Sequence, residues 1–224
     1  DRVGPLRVTQ AGLVAPETMR RATIFVFGLA VVSGLYLIVR GGWPILVVGL
    51  ASIGAAIWYT AGRYSLATLG LADLFVFVFF GPVAVGGTYY VQALSLPPDV
   101  IVAGAGPGLL SIAILLVNNV RDVAEDRVAR KRTLVVRFGR RFGVVAYGLC
   151  VVGALVLPAV LALGPSGLPP RPWAALPLAL LPLAIQPIRT MASTTDPERL
   201  NPLLGATGRL LLLWAVLFGI GWNL

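Results

Sequence analysis

Apolar residues in this chain run in blocks of about twenty, separated by short polar stretches rich in arginine, and that pattern constrains the fold more than any other feature. A block of this length matches the ~30 Å hydrocarbon core of a bilayer when wound as a helix. Inside lipid every backbone N–H and C=O must be satisfied within the protein, so such blocks span as helices. Seven blocks are legible, roughly 22–39, 43–61, 71–94, 99–117, 142–163, 173–190 and 203–222. Only 12% of the 224 residues are charged and 58% are hydrophobic, whereas a soluble domain carries about a quarter charged residues. The fold class expected is all-α, a multi-pass transmembrane helical bundle forming one domain over 1–224. Gly81-Pro82 should kink the third span, because proline removes a backbone donor. Pro177, Pro182 and Pro187 leave the geometry of the sixth span open.

Charge orders these spans. Of the 18 basic residues, 16 fall on alternate loops: Arg2, Arg7, Arg20, Arg21, Arg63, the run from Arg121 to Arg141, then Arg189, Arg199 and Arg209. The other side holds only Arg40 and Arg171. By the positive-inside rule this places the loop at about 118–141 in the cytoplasm. It also accounts for the net charge of +9 without nucleic acid, since basic loops between spans reflect topology and attraction to anionic lipid or substrate. There is no histidine, which excludes a histidine base and a His-ligated metal. The lone Cys150 has no partner in the chain for a disulfide and reads as a small buried hydrophobe.

One segment carries chemistry. Asn118-Asn119-Val120-Arg121-Asp122 begins at the end of the fourth span and continues through Asp126 to Lys131-Arg132-Thr133. Wound as a helix, it puts Asn118, Asp122 and Asp126 at i, i+4 and i+8 on one face. Hard oxygen ligands of this kind suit Mg²⁺, which takes a few carboxylates and completes its shell with water and phosphate. Arg121, Lys131 and Arg132 are placed to hold a departing pyrophosphate, a task shared between metal and cationic side chains. The plainer reading is a solvated loop whose charges pair at i, i+4.

The run Asn118-Asn119-x-Arg121-Asp122-x-x-x-Asp126 followed by Lys131-Arg132-Thr133-Leu134 resembles the second aspartate-rich motif of the UbiA superfamily of intramembrane aromatic prenyltransferases. Three stretches are similar to the branch acting on 1,4-dihydroxy-2-naphthoate in menaquinone biosynthesis. They are Gly4-Pro5-Leu6-Arg7-Val8-Thr9-Gln10-Ala11-Gly12, Gly41-Gly42-Trp43-Pro44, and the run from Phe79 to Tyr90. The resemblance covers the chain to about residue 141, with the last three spans adding only hydropathy. It implies nine helices around a central cavity open to the cytoplasm, in which two aspartate-rich motifs hold Mg²⁺ and diphosphate. By resemblance Asn118, Asp122 and Asp126 carry the second. The first, an NDxxD-like run, has no counterpart here, and we expect it and two further helices upstream of Asp1. On that expectation the chain alone is an incomplete enzyme. The resemblance further implies polyprenyl diphosphate and an aromatic acceptor as substrates.

Other polar positions carry two readings each. Tyr59-x-x-x-Arg63 is similar to the family's diphosphate contact, and is equally an interfacial aromatic with a positive-inside arginine. Asp73, at the start of the third span, resembles an acidic position of this branch that would orient the acceptor hydroxyl or take the ring proton; the dipole at a helix N-terminus also favours an acid there. Arg7 and Gln10 either cover the diphosphate or are solvated. Two alternatives remain open: a prenyltransferase for 4-hydroxybenzoate or a tetrapyrrole, and a small transporter. The charged cluster at the membrane boundary rather than the midplane argues against transport.

Overall fold

The computed structural model of the chain describes residues 8–9, 11–60, 65–164 and 169–224. Arg7, Gln10 and Arg63 therefore lie outside the described residues. Among those described there is no strand. The membrane-length helices are α1 (Pro16–Gly41), the shorter α2 (Trp43–Thr60), α4 (Ala72–Ala93), α5 (Pro98–Arg121), α7 (Leu134–Leu163), α8 (Pro172–Ser193) and α9 (Asn201–Trp222). Two short helices, α3 (Leu66–Leu69) and α6 (Val123–Val128), lie at the arginine-rich end. All seven expected spans are present, and the chain is a multi-pass membrane protein.

The packed core lies in the second half of the chain. Leu110, Ala113, Leu116 and Val117 of α5 meet Tyr147, Val151 and Leu155 of α7 and Leu203, Leu210 and Trp214 of α9. Polar groups in this core are satisfied: Tyr147 Oη and Thr207 Oγ1 lie 2.9 Å apart, and Trp214 Nε1 donates to the Ala154 carbonyl at 2.8 Å. Small residues let the backbones close. A Cβ on Gly106 would sit 2.1 Å from the Trp214 ring, so α9 seats its largest side chain where α5 has none. By contrast α1 turns Ile24, Phe25, Val32 and Tyr36 outward, as a lipid-facing helix does.

The proline-rich spans depart from regular helix where their sequence requires it. Gly81-Pro82 produces a π-helical turn, Phe79–Val83, with Gly81 at φ −110°, ψ −106°. The break lets this turn approach α5, and a Cβ on Gly81 would stand 2.6 Å from the Gly104 carbonyl oxygen. The span with three prolines begins as a 3₁₀ helix, Pro172–Leu180, and becomes α-helical over Leu181–Ser193. In α7 the helix breaks at Gly139, with φ +85°. Residues 118–141 are thus mostly helical, built from the end of α5, α6 and the first two turns of α7, with breaks at Asp122 and over 129–133.

Candidate active site

Asn118, Asp122 and Asp126 stay in helical register across the break between α5 and α6. The Asp122 N–H donates to the Asn118 carbonyl at 2.9 Å, and the Asp126 N–H to the Asp122 carbonyl at 2.8 Å. Each residue therefore stands one turn beyond the last. The Asn118 amide nitrogen donates back to the Ile114 carbonyl at 3.4 Å, which leaves its oxygen as the acceptor. Asp122 is the hinge between the two helices, at φ −91°, ψ 10°.

Both carboxylates are held by cations. Arg121 grips Asp122 with two contacts, Nε to Oδ1 at 2.6 Å and Nη2 to Oδ2 at 2.9 Å. The same guanidinium donates through Nη1 to Asn201 Oδ1 at 2.9 Å. Its side chain is only 4% exposed, so Arg121 acts as a buried strut between Asp122 and the first residue of α9. Lys131 Nζ lies 2.6 Å from Asp126 Oδ1, and its N–H closes a turn onto the Asp126 carbonyl. Asp126 is buried, whereas Lys131 is one-third exposed. Among the described residues no three His, Cys, Asp or Glu side chains are grouped to hold a metal by themselves.

The Lys131-Arg132 turn is docked onto a second element. The Arg132 N–H donates to the Thr68 carbonyl at 3.0 Å, and Arg137 Nη2 to the Leu69 carbonyl at 2.6 Å. Thr68 and Leu69 belong to α3, whose N-cap is Ser65 and whose C-cap, Gly70, lies in the left-handed region at φ +75°. A Cβ on Gly70 would stand 2.3 Å from the Arg132 carbonyl oxygen. Glycine is required there twice, for conformation and for contact. The Arg132 side chain itself remains exposed.

Gly70 leads directly into Asp73 at the start of α4. Asp73 is 7% exposed, and neither carboxylate oxygen has a hydrogen-bond partner among the described residues. An orphaned buried carboxylate is costly. Tyr59 is half-buried at the end of α2. Tyr59 lines a cavity of about 630 Å³ between α2 and α4, walled by Phe75, Phe79 and Phe80, with Leu66 of α3 beside it. Phe75 stacks on Phe79 at 6.0 Å and meets Trp58 edge-on at 5.8 Å.

Sequence reasoning missed Asn201 and the α3 platform. Asn201 had a weak signal, an amide beside Pro202 at the start of a span. The platform had a stronger one, a Ser N-cap and Gly C-cap bracketing Leu66–Leu69.

The fold and site together define a helical membrane protein that gathers paired acids and bases at one end of its bundle, beside an aromatic cavity that opens from the spans. The UbiA prenyltransferase family matches residues 1–204. The chain belongs to that family and is a prenyltransferase. It is 36% identical to the 1,4-dihydroxy-2-naphthoate octaprenyltransferase of Escherichia coli (strain K12) across 99% of this chain and 73% of that protein. It is 36% identical to the enzyme of the same name from Mycobacterium tuberculosis (strain ATCC 25618 / H37Rv), across 96% of the chain and 72% of the relative. A 2-carboxy-1,4-naphthoquinone phytyltransferase of Synechocystis sp. is 30% identical over half the chain. Similarity thus extends well past residue 141, where motif reading alone stopped.

Proposed function

We propose that this protein transfers a polyprenyl group from polyprenyl diphosphate to 1,4-dihydroxy-2-naphthoate, giving the demethylmenaquinone skeleton, at the cytoplasmic face of the inner membrane. Family membership and the names of the relatives support the reaction. The observation that carries it in this chain is the backbone bond from Arg132 to Thr68. That bond fastens the aspartate-rich segment to the turn that leads into Asp73 and the aromatic cavity. The bond supports a reading in which the diphosphate binds at the aspartate-rich segment and the prenyl chain and acceptor enter the aromatic cavity.

The donor set fits Mg²⁺. Asp122, Asp126 and the Asn118 oxygen are hard ligands one turn apart, and Mg²⁺ is commonly held by one or two carboxylates with substrate phosphate and water filling the shell. Bound there, Mg²⁺ would supply positive charge to the leaving pyrophosphate. Lys131 and Arg132 donate to the diphosphate oxygens, Lys as a point charge and Arg through its planar fork. Arg121 has no exposed face to offer. Its part is to hold Asp122 in one orientation, with Asn201 holding Arg121 in turn. As the C–O bond breaks, its electron pair goes to pyrophosphate, and the faces of Phe75, Phe79 and Tyr59 stabilise the allylic cation and exclude water. The electron-rich naphthoate ring attacks the allylic carbon and the attacking ring carbon gives up its proton; the carboxylate leaves as CO₂, and a proton takes its place on the neighbouring ring carbon. Asp73 orients the ring hydroxyl or takes the proton given up by the attacking carbon. Tyr59 sits where it can serve the cavity wall and the diphosphate together.

The test is an assay of the natural full-length protein in membranes, with polyprenyl diphosphate, Mg²⁺ and 1,4-dihydroxy-2-naphthoate, 4-hydroxybenzoate or a tetrapyrrole. Prenylated naphthoate is expected. Product only with another acceptor would move the assignment within the family, and no product with any acceptor would overturn it.

A further inference from the structure

A second concave feature, lined by no residue of the aspartate-rich segment, lies along the α8–α9 pair. It is a groove of about 500 Å³, floored by Pro187, Leu203 and Leu210. Its polarity is graded along its length. Near the arginine-rich end stand Arg199 and Thr190, then Gln186 and Arg209, and beyond them Leu183 and Leu213. At 1.5 Å per residue, Arg209 lies about 12 Å along α9 from Asn201. Its side chain is exposed and has no hydrogen-bond or ion-pair partner among the described residues. Arg199 has only an exposed contact to Asp196 at 3.5 Å, a weak pair. No lining residue is acidic.

An unpaired arginine on an exposed face of a spanning helix is expensive. Its stem can carry the guanidinium back toward the interface, but the charge there still wants an anion. The gradient from cationic to apolar matches an amphiphile with a negative head. A guanidinium takes phosphate oxygens in a bidentate manner, and basic pockets between spanning helices suit anionic headgroups. A zwitterionic head would bring an ammonium that finds no carboxylate in the lining. We propose that the α8–α9 groove binds an anionic phospholipid, with its phosphate on Arg209 and Arg199 and an acyl chain along Leu183 and Leu213.

Native mass spectrometry of the purified full-length protein tests this, using phosphatidylglycerol and phosphatidylcholine of identical chains. Wild type should retain phosphatidylglycerol preferentially. Arg209→Gln should weaken that retention by about tenfold, the loss expected for one charge-assisted contact, while Arg209→Lys keeps most of it. Equal thermal unfolding of wild type and Arg209→Gln in phosphatidylcholine alone shows that the fold is intact; unequal unfolding moves the test to Arg199→Gln, which must then lower retention. Equal retention of both lipids, or retention indifferent to both arginines, overturns the proposal. So does displacement of the lipid by polyprenyl diphosphate at wild-type Arg209, which would make the groove a substrate path. Arginine-dependent dimerisation without bound lipid would overturn it in favour of a second copy.

Discussion

Asn201 holds the most informative side chain outside the recognised motif. It accepts one of the three bonds made by the Arg121 guanidinium, the other two going to Asp122. Asn201→Ala leaves a buried, charged N–H without a partner, which costs about 1–3 kcal/mol. Arg121 then loses its anchor on α9 and Asp122 its fixed orientation. We expect a lower unfolding temperature together with a fall in kcat that Asn201→Ser partly restores, measured by thermal unfolding and initial rates. Unchanged values in Asn201→Ala would show that the strut does nothing. The aspartates and the Lys131-Arg132 pair were legible in the sequence because they lie within a few turns of one another. Asn201 was not, because 80 residues separate it from Arg121 and no local periodicity reaches that far.

At the scale of elements, the decisive feature is the seat of the 129–133 turn on α3. Gly70→Ala would force a left-handed φ on a residue with a Cβ and drive that Cβ into the Arg132 carbonyl. The turn must lift, carrying Lys131 and Arg132 away from α3. The expected result is a strong loss of turnover with the protein still inserted, read as activity against the amount present in the membrane. Normal turnover would mean that the docking is incidental. Span positions and the break at Gly81-Pro82 could be read from hydropathy and proline, since both are local. The 3₁₀ start of α8 and the platform α3 could not. Their form depends on neighbours, as where Gly221 of α9 lies so close to the Trp173 carbonyl of α8 that a Cβ there would stand 1.9 Å from its oxygen.

For the whole molecule, the alternation of charge read from the sequence agrees with the contacts that join helix ends. At the arginine-rich end Arg121 meets Asn201, Arg132 meets Thr68, and Arg140 Nη2 caps the end of α8 through the Met191 and Thr194 carbonyls. The two arginines at the opposite end are both engaged. Arg40 donates to the Gln92 carbonyl at 3.2 Å. Arg171 pairs with the buried Asp99 at 3.1 Å while its guanidinium lies 3.8 Å above the Trp222 ring. These contacts give a structural reason for the two positive charges at the arginine-poor end. Arg171→Met should destabilise the protein by about 3–5 kcal/mol, the cost of leaving a buried carboxylate unpaired. The surviving folded fraction should turn over normally, because this lock stands at the far end of the bundle from the aspartates. A stability equal to wild type would refute the lock, and a selective loss of kcat would tie that end to the chemistry.

The account as a whole depends on Asp122 and Asp126 acting on the diphosphate rather than serving only as structural partners of Arg121 and Lys131. The most direct measurement is Mg²⁺-dependent prenyl transfer by Asp122→Asn and Asp126→Asn in the full-length protein, normalised to the amount inserted. Turnover reduced by orders of magnitude with insertion unchanged is the predicted result. Wild-type rates in both variants would contradict it.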